Sequence, residues 1–156
     1  MMRQTVGRWA LAVTLLDLAL KTIPLGADRV LVPGLLALRQ VGNHGVAFGL
    51  MQGLSVLVLP LTALLVLLGG LWLQKQAMGR FEAMAYGLLL GGAVGNLVDR
   101  LVHGFVTDYL ELVFVRFAVF NLADAALTLG AALLIVFYLI PQRRPAHAHS
   151  DKNRLR

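Results

Sequence analysis

The chain has 156 residues, 58% hydrophobic and 14% charged, with a mean hydropathy of +0.76. Soluble domains are about half apolar and about a quarter charged, so this balance marks a membrane protein of one compact domain. The absence of cysteine excludes disulfides, thiol nucleophiles and thiolate metal sites, and the net charge of +6 comes from basic residues at segment ends and in the tail rather than from a patch suited to nucleic acid.

Four apolar segments are expected to be helices. The first, about residues 9–23, is short and carries Asp17 and Lys21. A signal-peptide reading, with Arg3 and Arg8 as the basic lead, is disfavoured because these two charges interrupt the apolar run. At i, i+4, Asp17 and Lys21 have the spacing of an ion pair within one helix, the least costly way to carry two charges in a membrane segment.

The loop over about 24–53 is too long for a simple connection. Its VLVPGLLALRQVGNHGVAFGL alternates β-branched stretches with Pro33, Gly34, Gly42 and Gly45, which predicts short strands and turns forming a small sheet on the membrane surface. Within it, the Asn43 amide both donates and accepts, which suits gripping an extended peptide; a plain hairpin turn is the alternative. His44 reads as a turn residue.

The second segment, about 54–73, is uncharged. The third, about 81–102, offers Gly91, Gly92 and Gly95 for close helix packing, then Asn96, Asp99 and Arg100 on one face. Asp99 reads as half of a structural ion pair, whereas Arg100 suits a substrate carbonyl or a lipid headgroup. The FVTDYLELVFVRFAVF that follows is mostly strand formers around Asp108, for which an exposed loop carboxylate is the alternative.

The fourth segment, about 118–140, opens with Asn121 and Asp124 three residues apart. A helix start favours an ionised carboxylate. Capping accounts for one of these residues, and the second is left for catalysis or ligand binding. The tail over 141–156 is polar, basic and expected to be disordered; its His147 and His149 read as solvated rather than as metal ligands.

The two termini and the connection between segments two and three hold nine of the fourteen Lys and Arg, which puts both termini in the cytoplasm by the positive-inside rule. Six of the eight acids lie toward the opposite, outer face. Ionisable residues in such segments are functional candidates, and Asp108 and Asp124 together suffice to activate a water molecule, one as base and one as acid.

Four blocks in order, LDLALK, GNHGVAFG, GGAVGNLVDRLVHGFVTDYLEL and FNLADAALTLG, resemble the bacterial lipoprotein signal peptidases, or signal peptidases II, over about residues 9–140. The resemblance implies a mainly α membrane protein, a four-transmembrane-helix bundle with a small extracytoplasmic β-cradle between helices 1 and 2. It implies an inner-membrane aspartic endopeptidase that removes the signal peptide of a prolipoprotein just before a diacylglyceryl-modified cysteine. By the same resemblance Asp108 and Asp124 are catalytic, while Asn43, Asn96, Arg100, Asn121, Asp17 and Lys21 belong to the substrate-binding set. No metal or other cofactor, no nucleic acid and a monomer in contact with membrane lipids are implied.

Some positions depart from the family pattern. Leu18 stands where a glutamine is usual, His44 and Val46 vary the second block, and FVRFAV replaces a tryptophan- and proline-containing approach to the last block, with Ala125 after Asp124 in place of serine. No catalytic aspartate is lost. A small proton-coupled transporter is the rival reading, but it calls for helices broken near the midplane and an internal repeat, and the sequence has neither. A non-catalytic lipoprotein-binding protein is the second rival; it would tolerate amides at Asp108 and Asp124.

Overall fold

The computed structural model describes residues 2–23, 28–45 and 55–139. It contains helices α1 (Met2–Lys21), α2 (Ser55–Leu73), α3 (Arg80–His103) and α4 (Leu122–Leu139), and strands β1 (Arg29–Val32), β2 (Leu36–Asn43) and β3 (Val106–Leu112). Parts of the expected outer loop, 24–27 and 46–54, and the 141–156 tail with His147 and His149 lie outside the described residues.

α3 is the hub of the bundle, and its glycines explain why. Gly87, Gly91 and Gly95 recur every fourth residue and face α1: a Cβ on Gly87 would meet Trp9 Cβ at 2.5 Å, one on Gly91 the Ala10 carbonyl at 2.6 Å, and one on Gly95 Asp17 Oδ2 at 2.8 Å. The opposite flank is as tight, since a Cβ on Gly92 would meet the Ala123 carbonyl at 2.5 Å and one on Gly130 the Ala85 carbonyl at 2.8 Å. Small residues allow this backbone approach, which in an apolar solvent replaces hydrophobic burial as the source of helix association. These pairings make α1 parallel and α4 antiparallel to α3.

The two ends of the bundle differ. At one end Val6, Leu73 and Ala83 form an apolar cluster, and Tyr138 donates to Glu82. The N-terminus of α1 and the C-terminus of α4 therefore share this end. The other end gathers buried Asp17, Lys21, Asn96, Asp99, Asp108 and Asn121. Among the described residues, α3 and α4 are long and apolar enough to cross a membrane.

The sheet has order β1-β2-β3, antiparallel throughout. Gly34 turns the first hairpin in the left-handed region at φ 72°, where L residues with a Cβ are strained. The expected cradle between helices 1 and 2 is corrected here: its third strand, β3, comes from the segment after α3. Gly104, left-handed at φ 78°, ends α3 with its N–H on the Arg100 carbonyl and turns the chain into β3.

Two helix boundaries also differ from expectation. α1 begins at Met2 rather than near residue 9, because Val6 is buried in the apolar end cluster and rewards a longer helix. α4 begins at Leu122 rather than 118, because Phe120 exchanges hydrogen bonds with Leu110 at 2.8 and 2.9 Å and is held as an extension of the sheet.

Candidate active site

Strand pairing sets the first half of the site. Val41 lies opposite Asp108 and Asn43 opposite Val106, which brings the end of β2 alongside the middle of β3. Asn43 Nδ2 donates to Asp108 Oδ2 at 2.9 Å, and Asn43 Oδ1 accepts the Gly45 N–H at 2.9 Å, so the turn after β2 fixes the amide. His44 is exposed and packs its ring 5.2 Å from Phe105.

The start of α4 sets the second half. Asn121 is the N-cap: its Oδ1 accepts the Asp124 N–H at 2.8 Å, and Asp124 Oδ2 accepts the Asn121 N–H at 3.4 Å. This is a reciprocal cap in which both residues take part, so the expectation that capping explains only one of them is corrected. The cap leaves other atoms free for the site. Asn121 Nδ2 donates to Asp108 Oδ1 at 2.7 Å, and Asp124 Oδ1 accepts from Asn96 Nδ2 at 2.8 Å. Asn121 Nδ2 also reaches Asn96 Oδ1 at 3.1 Å, completing an amide chain from Asp108 to Asp124.

A charged cluster lies beneath this chain. Lys21 Nζ donates to Asn96 Oδ1 at 3.0 Å and pairs with Asp17 at 2.8 Å and Asp99 at 3.4 Å. Asp17, fully buried, accepts the Ala123 N–H at 3.0 Å and so receives one of α4's first amides. Asp99 accepts the Thr107 N–H at 2.5 Å and contacts His103 Nδ1 at 2.6 Å. Arg100 donates to the Gly45 carbonyl at 3.2 Å and to the Asn96 carbonyl at 3.5 Å.

Asp108 is only 2% exposed. Burial pushes its carboxyl up to about 6, the Asp124 charge adds to the rise, and the Asn43 and Asn121 donors oppose it. Tyr109 was not singled out in the sequence: its buried hydroxyl accepts the Leu122 N–H at 3.1 Å, and burial pushes it up to about 12. Its only signal was an aromatic residue next to Asp108. Among the described residues, no three His, Asp or Glu side chains converge as metal ligands.

A cavity of about 1150 Å³ opens from this site. Asn43, Asn96, Arg100 and Asp124 line its polar end, and apolar residues of α2, α3 and α4 carry it toward Trp72 and Tyr86. The sequence-proposed site residues thus lie together, four of them on the groove wall (Asn43, Asn96, Arg100 and Asp124) and four buried behind it (Asp108, Asn121, Asp17 and Lys21).

Such an arrangement, two carboxylates held by asparagines beside an apolar groove in a glycine-packed bundle, is that of a membrane-type helix bundle with a paired-carboxylate site. The family model described as Signal peptidase (SPase) II matches residues 9–140. The lipoprotein signal peptidase of Syntrophomonas wolfei is 42% identical over 120 residues, covering 75% of this chain and 77% of that protein. That of Nostoc is 37% identical over 136 residues, covering 85% and 83%. Among solved structures, a bacterial membrane enzyme determined by the in meso method superposes with a TM-score of 0.79 at 29% identity, covering 87% of this chain and 88% of that one. The chain belongs to the signal peptidase II family of aspartic peptidases, and it is a hydrolase.

Proposed function

We propose that the protein cleaves the signal peptide from diacylglyceryl-modified prolipoproteins, before the lipidated cysteine, with Asp108 and Asp124 as the catalytic dyad. The observation that carries this reading is the Asp108–Asn121–Asn96–Asp124 amide chain at the head of the groove. Between their two ionisations, two coupled carboxylates share one proton. The ionised member takes a proton from a bound water, which attacks the scissile carbonyl. The protonated member hydrogen-bonds the carbonyl oxygen and then protonates the leaving amine. The proton belongs to the pair rather than to either residue.

Asn43 and Arg100 present polar groups at the groove's mouth and suit the substrate backbone. Asn96 and Asn121 orient the carboxylates, and Asn96, on the groove wall, also meets the peptide. Asp17 and Lys21, both buried, serve the site by fixing Ala123 and Asn96 rather than by touching substrate. The apolar length of the groove suits the acyl chains and the hydrophobic part of the signal peptide.

In this reading residues 1–140 form one domain with all four helices spanning the bacterial inner membrane. Both termini are cytoplasmic, and the site opens toward the outer face. The enzyme acts as a monomer without a cofactor and binds no nucleic acid. The positive-inside count supports the orientation, as does the shared end of the α1 and α4 termini.

The test is cleavage of a diacylglyceryl-modified prolipoprotein peptide by the purified protein in detergent, beside an unmodified peptide and the Asp124→Asn variant. Cleavage that needs both the lipid and Asp124 is expected. Equal cleavage of the unmodified peptide would remove the lipid from the proposal.

A further inference from the structure

Asp17, Lys21 and Asp99 form a buried group of two carboxylates and one ammonium, 0%, 8% and 1% exposed. Such a group carries one uncompensated negative charge, which is costly away from water. The side chain that meets it from the water side is His103, 52% exposed, with Nδ1 2.6 Å from Asp99 Oδ1. The other oxygen of Asp99 holds the Thr107 N–H, one residue before Asp108. The Thr107 carbonyl in turn accepts from Asn121 at 3.4 Å.

We propose that His103 is a positioning residue for the peptidase reaction: its imidazolium completes the charge balance of the Asp17–Lys21–Asp99 cluster and so holds Asp99, and through it the start of β3, in the register that presents Asp108. The inference rests on the peptidase reading for its effect on turnover but not for the coupling itself. The charged and titratable groups around the pair are Asp99 and Arg100 on the same helix, Asp17 and Lys21 from α1, and His44 across the Phe105 ring, which lies 5.8 Å from His103 and 5.2 Å from His44. A plain interaction of His103 with the C-terminal dipole of α3 would leave Thr107 indifferent to its charge.

The coupling is readable by exchanging the charge at position 103. The Thr107 amide resonance is followed by NMR in detergent in the full-length protein at one fixed pH. The resonance is expected to move in His103→Gln and to return toward its wild-type position in His103→Lys. In the otherwise wild-type enzyme, His103→Gln is expected to lower kcat several-fold with KM unchanged, and His103→Lys, which keeps the charge, to restore it. A Thr107 resonance unmoved in His103→Gln overturns the proposal, as does a His103→Lys enzyme no better than His103→Gln. A His103-dependent Thr107 resonance in a protein that cleaves nothing supports the coupling and counts against the peptidase reading alone.

Discussion

Lys21 determines which way Asn96 faces. Its ammonium can only donate, and it donates to Asn96 Oδ1 at 3.0 Å, so Asn96 Nδ2 is left pointing at Asp124, 2.8 Å away. Asn121 donates to the same Asn96 oxygen at 3.1 Å, so Asn121 too is held with its Nδ2 inward, where it meets Asp108. A cation on α1 thereby sets the orientation of amides serving two carboxylates on β3 and α4.

Removing that cation is expected to cost both stability and activity. Lys21→Met leaves Asp17 and Asp99 buried without an ammonium, and breaking a buried pair in this way typically costs about 3–5 kcal/mol. Thermal unfolding in detergent measures the loss. Pairing Lys21→Met with Asp17→Asn is expected to recover part of it, because one of the two stranded charges is gone. An unchanged midpoint in Lys21→Met would mean that the cluster is not a stabilising ion pair.

Asp108→Asn and Asp124→Asn are each expected to lower kcat by at least about 10²–10⁴-fold, the range attributed to general acid–base groups, while the purified variants keep their helical signal and elution volume. The amide preserves shape and removes the ionisable oxygen. Full activity in either variant would break the dyad.

The four sequence blocks made the candidate site legible as a set: Asp17 with Lys21, Asn96 with Arg100, and Asn121 with Asp124 stood out against an apolar background at helical spacing, and Asn43 and Asp108 stood out among strand formers. What was not legible is non-local. Nothing near Val106–Leu112 announces that its partner is Leu36–Asn43, far earlier in the chain, so the sheet was expected within one loop. Phe120 reads as helix by hydropathy, and only its pairing with Leu110 moves the start of α4 to Leu122. Cap and site were weighed as alternatives for Asn121 and Asp124, yet an amide or carboxylate has two ends, and here one end caps while the other serves the site.

Helix packing gives an expectation with a built-in control. Gly95→Ala places a methyl 2.8 Å from Asp17 Oδ2, with 3.5 Å to Ala123 Cβ behind it, so it must displace a buried carboxylate. Overpacking of this kind costs about 1–3 kcal/mol. Gly7→Ala, also in a helix but with nothing within 4 Å, is expected to be neutral or to gain about 0.5–1 kcal/mol from helix propensity. Unfolding midpoints of the two variants, compared side by side, separate close packing from propensity; equal midpoints would deny the tight α1–α3 contact.

The pH dependence of cleavage follows from Asp108. Its folded carboxyl stands at about 6, above the ordinary 3.8, so it becomes ionised as pH rises through about 6. If the pair must keep one proton to protonate the leaving amine, kcat/KM falls along that alkaline limb. The Asn43 amide favours the ionised form by donating to it at 2.9 Å and therefore holds the limb down. Asn43→Ala removes that donor, so Asp108 keeps its proton to higher pH and the limb is expected to move upward. Because the two carboxylates titrate as a pair, the observed limb is a macroscopic value and its shift is the quantity to read. Profiles of kcat/KM against pH for wild type and Asn43→Ala measure it. A limb that moves downward, or does not move, would show that Asn43 does not tune the proton held by the dyad.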